Sequence, residues 1–344
     1  MKDIAEKVGV DRSTVSLALK NDPRISEKTR ELIHQTAREL NYRPDPAFKI
    51  LGAQRWKSRE TTTGFVMAFL TYGTQAANPV VKQYRDGARR KAEELGFGFS
   101  DFHVSDYATV QKANQVLVNR GVSGLMFFRP LRPEFLRGYQ WDQFSSICIG
   151  LGYFQPSLNA VEHDHSRSIH TLWQRARERG AKRIGALLVR DEQSFDYVND
   201  VGSIHYEQRR QENASDAQTV PPFIFDPSQS EEAILKDFAL WMRKHEPQVV
   251  IGFCDYGYEL LVKAGFEAPG QVSFLSLRKY GGLEDIEADR EISGIDLNRE
   301  QCGEIAASLL SMQILQNERG LPDVRITHVV ETQYVEGETF ARKF

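Results

Sequence analysis

Cysteine is scarce in this chain. Three occur among 344 residues, Cys148, Cys254 and Cys302, and no two share a C-x-x-C spacing. That excludes a disulfide framework and a finger-type zinc site, and reads as buried thiols in a reducing compartment. Long apolar runs are also missing. None reaches the roughly 18 residues of a membrane span, and charge begins at Lys2, so neither a membrane segment nor a secretory leader is expected. There is no Walker sequence and no G-x-S-x-G elbow. Gly150-Leu151-Gly152 lacks the third glycine and the helix opening of a dinucleotide site. His163, His165 and His170 gather around Asp164 without an HExxH pattern, and read as a surface turn before a helix. No catalytic residue, cofactor or metal ligand is therefore expected.

What is present is unevenly distributed. The composition, 41% hydrophobic and 26% charged, is that of a globular protein with one small domain and one or two ordinary ones. The net charge of −3 hides an asymmetry: residues 1–57 carry twelve Lys or Arg and eight Asp or Glu, and the remainder is acidic. A basic end on an acidic body suits contact with phosphate by one end only.

That basic end has a readable pattern. Gly9 can take the positive φ that stops a first helix, at no Cβ cost. Asp11 then stands at an N-cap position, predicted to accept from the backbone N–H of Ser13 or Thr14. Residues 12–20 place Val15, Ala18 and Leu19 on one helical stripe and leave Arg12, Ser13, Ser16 and Lys20 on the other face. Ser26 caps a third helix, whose Leu32, Ile33, Ala37 and Leu40 are predicted to close a three-helix core. Pro44 bounds it. This is a helix-turn-helix, whose second helix enters the major groove with its N-terminal residues against base edges.

The run DIAEKVGVDRSTVSLALKNDPRISEKTRELIHQTARELNYRPD resembles the headpiece of the lactose-repressor family of bacterial transcription regulators. Arg12 and Ser13 are then expected at bases. Leu17, where the family usually has Arg, would offer apolar contact. Thr14, Ser16, Asn21 and Arg24 are expected at phosphates, with Lys20 and Tyr42 completing the surface. In that family the next segment is a hinge helix formed over the operator, with a leucine wedged into the minor groove; Leu51 is the matching residue. Asp45 and Phe48 depart from the family pattern, which puts the hinge geometry in question.

Beyond residue 63, apolar runs at 64–70, 98–104, 122–128, 145–150, 183–189, 222–225, 249–254 and 272–277 alternate with helical patterns. Alternation of this kind predicts parallel sheets with helices on both faces, in two lobes. The pieces NRGVSGLMFF, RGAKRIGALLV, APGQVSFLSL and VVETQYVEGET resemble the regulatory domain of the same family, itself similar to periplasmic binding proteins. The expected organisation is a headpiece at 1–44 and a hinge and linker at 45–62. A doubly wound α/β body follows at 63–344, with lobe 1 at about 63–160 plus 293–325 and lobe 2 at about 161–292 plus 326–344.

In such folds the ligand lies outside the carboxyl ends of the strands, between the lobes. The candidate effector residues are Tyr72, Asn78, Arg129, Tyr197, Asp255, Arg278 and Asn298. Arg278 stands where the sugar-binding relatives have Asp, and their Arg on the helix after the first strand of lobe 2 has no counterpart. Arg278 therefore predicts a cleft that accepts an anion such as a sugar acid, unless it pairs with Glu284 or Asp285.

The expected partners are near-palindromic operator DNA, a sugar or sugar-acid effector and a second copy of the chain. The expected setting is the cytoplasm. No leucine heptad follows Val335, so no C-terminal zipper is expected. A solute-binding protein and a sugar-acting enzyme on the same scaffold are the rival readings.

Overall fold

The structure is a computed structural model that describes residues 2–19, 22, 24–40, 64–128, 138–150, 157–192, 194–212, 218–279 and 291–344. The N-terminal unit has three helices: α1 (Lys2–Val8), α2 (Arg12–Ala18) and α3 (Glu27–Glu39). Their buried core is Ile4, Ala5, Val15, Ala18, Ile33 and Ala37. Gly9 takes φ +75°, as its turn requires, and Ser26 Oγ accepts from Thr29 N–H. Two expectations fail. Asp11 stands at the N-cap of α2 but makes no side-chain cap bond. Leu32 and Leu40 are 49% and 41% exposed. Ile33 and Ala37 already fill the narrow seam against α1 and α2, so their apolar neighbours fall on the outer face.

The body holds two parallel sheets. The first runs in the order β12 (Thr327–Val330), β5 (Asn159–His163), β4 (Ser145–Ile149), β3 (Val122–Phe128), β1 (Val66–Thr71), β2 (Gly98–His103). The second runs β13 (Gln333–Val335), β11 (Gly294–Asp296), β10 (Ser273–Ser276), β9 (Val249–Gly252), β6 (Arg183–Val189), β7 (Gln218–Thr219). There β8 (Phe223–Phe225) also pairs with β6, and β13 alone is antiparallel to its neighbour. Helices α4 (Pro79–Glu94), α5 (Val110–Asn119) and α10 (Arg299–Gln316) cover the first sheet. Helices α6 (His165–Glu178), α7 (Phe195–Glu212), α8 (Glu231–His245) and α9 (Tyr256–Lys263) cover the second. Fully buried Phe69, Phe127 and Phe274 sit on central strands, each contributing roughly 2 kcal/mol of apolar burial.

The chain passes between lobes three times. Two of the passages differ from expectation. β11 belongs to the second sheet and β12 to the first, so the second passage falls at Leu297–Asn298 and the third at Glu331–Thr332. The short apolar runs there carry no periodicity that assigns them to a sheet; pairing decides it. The passages are stitched together. Ser168 Oγ meets Thr332 Oγ1 at 2.8 Å, and Asn298 Nδ2 donates to the Glu331 carbonyl at 3.3 Å. On return, α10 lies against α4 with backbones nearly touching. A Cβ on Gly303 would come within 2.0 Å of the Tyr84 carbonyl, and one on Gly87 within 1.9 Å of the Glu300 carbonyl. That close approach places Tyr84 beside the first passage.

Candidate nucleic-acid interface and inter-lobe site

On α2, Val15 and Ala18 face the core, while Arg12 and Ser13 at its first turn are exposed. Arg12 has no hydrogen bond or ion pair with any described residue, so its guanidinium is available to a base edge or phosphate. Thr14, Ser16 and Leu17 are half-buried on the flanks. Arg24 is different. It is clamped on Asp22, with Nε to Oδ1 at 2.9 Å and Nη2 to Oδ2 at 2.8 Å, and its own backbone N–H donates to Oδ1 at 3.0 Å. This pairing holds the Asp22 carboxyl down at about 2 and neutralises the charge that a phosphate contact would use. Lys20, Asn21, Tyr42, Leu51, Phe48 and Arg129 lie outside the described residues.

The effector candidates divide. Asn78 Oδ1 is used as the cap of α4, accepting from Val80 and Val81 N–H at 2.9 and 3.4 Å. Tyr72 is half-buried, and its backbone N–H donates to Gln75 Oε1. Asn298 sits at φ +52° and serves the stitch between passages. Asp255 is buried at the start of α9, and Tyr197 is half-buried on the first turn of α7. Arg278 does reach a partner. Its Nη2 lies 2.5 Å from Asp200 Oδ2 and 4.0 Å from Asp196 Oδ2, and Nη1 donates to the Phe253 carbonyl at 3.0 Å. Arg278, which stands where sugar-binding relatives of the resembled family have Asp, thus pairs with carboxylates on α7.

The largest departure from expectation lies at the first passage. His163 and His165 are 6% and 4% exposed, so this is no surface turn. The end of β5 buries Glu162 beside them at 2% exposure. Glu162 Oε1 accepts from the His163 backbone at 2.7 Å and lies 3.2 Å from His165 Nε2. Asp196 Oδ1 lies 3.2 Å from the same nitrogen. Tyr84 Oη meets His163 Nε2 at 2.7 Å.

The two histidines diverge in consequence. Burial drives His163 down to about 3. Burial works against a charged His165 as well, but hydrogen bonds to Asp196 and Glu162 outweigh it and hold that ring up at about 9. Burial raises Asp200 more than Arg278 lowers it. Arg299, buried at the start of α10, donates through Nη1 to the Lys279 carbonyl at 2.6 Å and so ties lobe 1 to the loop after β10.

Glu162, His163, His165, Asp200 and Tyr84 were not singled out from sequence as effector residues. Two signals could have found some of them: three titratable residues in the last four positions before α6, and Asp196 and Asp200 spaced i, i+4 on one helix face.

A three-helix headpiece with an exposed second helix thus precedes two parallel-sheet lobes with three crossings. Known proteins share this arrangement. Residues 1–45 match the family described as bacterial regulatory proteins, lacI family. The HTH-type transcriptional regulator MalR of Staphylococcus xylosus is 31% identical over 97 residues, 28% of this chain and 27% of that protein. The probable HTH-type transcriptional repressor ExuR of Bacillus subtilis strain 168 is 39% identical over 74 residues, 22% of this chain and 21% of that protein. The aligned stretches thus span about a quarter of those regulators.

Among solved structures, the lac repressor dimer bound to operator and the anti-inducer ONPF covers 98% of both chains at TM-score 0.57 and 18% identity. The complex of the transcriptional regulator CelR with cellobiose also covers 98% of both, at TM-score 0.60 and 18% identity. These likenesses show the fold. The family match covers the headpiece, residues 1–45, and the relatives named above are transcriptional regulators. Among the described residues no helix is long and apolar enough to cross a membrane.

Proposed function

We propose that this protein is a cytoplasmic, dimeric, sequence-specific transcriptional repressor whose operator affinity is set by a small carbohydrate-like effector bound between the lobes. The observation that carries the reading is the first turn of α2: exposed Arg12 and Ser13, with no side-chain partner among the described residues, on a headpiece that matches the lacI family over residues 1–45. Two such headpieces on a dimer suit a near-palindromic site, because operator symmetry mirrors protein symmetry. Selection of bound duplexes from a random pool should return paired half-sites. Affinity should fall steeply with salt, since basic side chains release counterions from phosphates. Binding that does not change with salt, or no binding to any duplex, would end this reading. Deleting residues 1–57 separates it from a solute-binding protein, which would lose nothing.

For the effector, a buried ring of hydrogen-bonding groups at the lobe passages favours a hydroxylated ligand, and CelR is a sugar-complexed neighbour of the same fold. Of the two forms expected from sequence, a neutral sugar now fits better than a sugar acid. Both terminal nitrogens of Arg278 are already taken, one by Asp200 and one by the Phe253 carbonyl. Calorimetry with neutral and acidic sugars decides between them. Tight binding of an acidic sugar that disappears in Arg278→Ala would restore the anion form. Ligand closure of the lobes would shift the headpiece pair between DNA-competent and incompetent populations.

A further inference from the structure

We propose that Glu162, His165 and Asp196 form a binding site for one divalent transition-metal ion per chain, clamping the first lobe passage onto α7. Their ligand atoms all lie within 4.8 Å of one another. His165 Nε2 is 3.2 Å from both Glu162 Oε1 and Asp196 Oδ1. In a tetrahedral site with bonds of about 2.0–2.1 Å, neighbouring ligand atoms stand about 3.3 Å apart. One imidazole nitrogen with two carboxylate oxygens is a donor set suited to zinc, manganese or cobalt. The three come from different elements: the end of β5, the first turn of α6 and the first turn of α7. An ion there would tie α7 to the first passage, segments about thirty residues apart in sequence.

Burial makes the second, independent argument. Glu162 and His165 are 2% and 4% exposed, and Asp196 is largely buried beside them. The donor set is therefore held out of water, where a group that supplies compensating charge is worth far more than at the surface. A divalent ion would bind with His165 neutral as a ligand. The other close histidine–carboxylate pair on these helices, His170 with Glu207, is half-exposed and already shared with Arg210, so it serves as an internal control.

The test uses the full chain, stripped with a chelator and then titrated with zinc, manganese and cobalt chlorides. The expected result is one ion bound per chain, a rise in Tm, and ligand-field bands in the visible spectrum of the cobalt form. Asp196→Asn and Glu162→Gln should each weaken binding at least roughly tenfold, whereas His170→Ala should leave it unchanged. No binding of any of the three ions overturns the proposal. So does binding that survives both carboxamide variants and is lost in His170→Ala. Should the variants fail to fold, the wild-type cobalt spectrum decides: tetrahedral bands uphold the site, and a purely hexa-aquo spectrum refutes it.

Discussion

The headpiece and the lobe passages handle charge in opposite ways. In the headpiece, charged groups stand in water and the core is six small or branched apolar residues. Arg12 is left open at a helix start. At the passages, Glu162, His165, Asp196, Asp200 and Arg278 are packed together out of water. Solvated charge suits a surface that must exchange water for a phosphate backbone many times. Buried charge suits a joint, because a mispaired arrangement costs so much that only a few geometries survive. On the function proposed above, the headpiece is left open to a partner, and the passage cluster fixes how the lobes are joined.

The strongest way to break this contrast is Asp200→Asn. It strands the guanidinium of Arg278, whose side chain is only 15% exposed, and should cost about 3 kcal/mol in urea unfolding of the body. An apolar double replacement, Asp200→Leu with Arg278→Met, should recover most of that loss. Failure to recover would mean the pair has a role beyond mutual neutralisation.

Next comes Gly303→Ala. Its Cβ would overlap backbone atoms of α4, which cannot yield as a side-chain tip does, and a loss of about 2 kcal/mol is expected in the same assay. Gly202→Ala on α7 has nothing within 4 Å and should stabilise by about 0.5–1 kcal/mol through helix propensity. Equal effects at the two glycines would show that α4 and α10 do not approach so closely.

The pH response should also separate the two regions. In chelator-treated protein, His165 is held up at about 9, so its contribution is complete below the unfolded value of about 6.5 and is lost as pH rises through 9. His163 is held down at about 3. Below about 6.5 the unfolded chain takes up a proton that the folded chain refuses, and stability falls with falling pH. The body should therefore be most stable near neutral pH, with Tm dropping on both sides. The headpiece shifts act only in acid: Asp22, at about 2, contributes above its unfolded value of about 3.9 and loses that contribution as pH falls through 2. A body Tm that is flat from pH 5 to 9 would contradict the buried network.

The remaining effects are on DNA. Arg12→Ala should cost about 1–2 kcal/mol of discrimination at one operator position. Arg24→Ala should weaken all sequences alike and only slightly, because Asp22 already balances that charge. Binding-site selection on both variants measures this, and the reverse pattern would exchange their roles.

The helix-turn-helix was legible because it rests on local rules. Gly9 at positive φ, Ser26 as a cap and the Val15–Ala18 stripe need only near neighbours in sequence. The alternation of strands and helices was legible for the same reason, and 122–128 and 183–189 were located to the residue. The missed features depend on distant partners. Leu32 and Leu40 follow helical spacing, yet a three-helix seam is too narrow to bury them. β11 and β12 are too short for a pattern to declare their sheet.

Chain order and side-chain chemistry were therefore enough to determine that a basic reading head precedes a two-lobed α/β body. Only the folded chain could bring Glu162, His165, Asp196, Asp200 and Arg278 together, from four segments spread over more than a hundred positions. The reason is physical. Local propensity acts over a few residues, whereas the pairing of buried charges is settled by which segments the sheets and the three passages bring within reach.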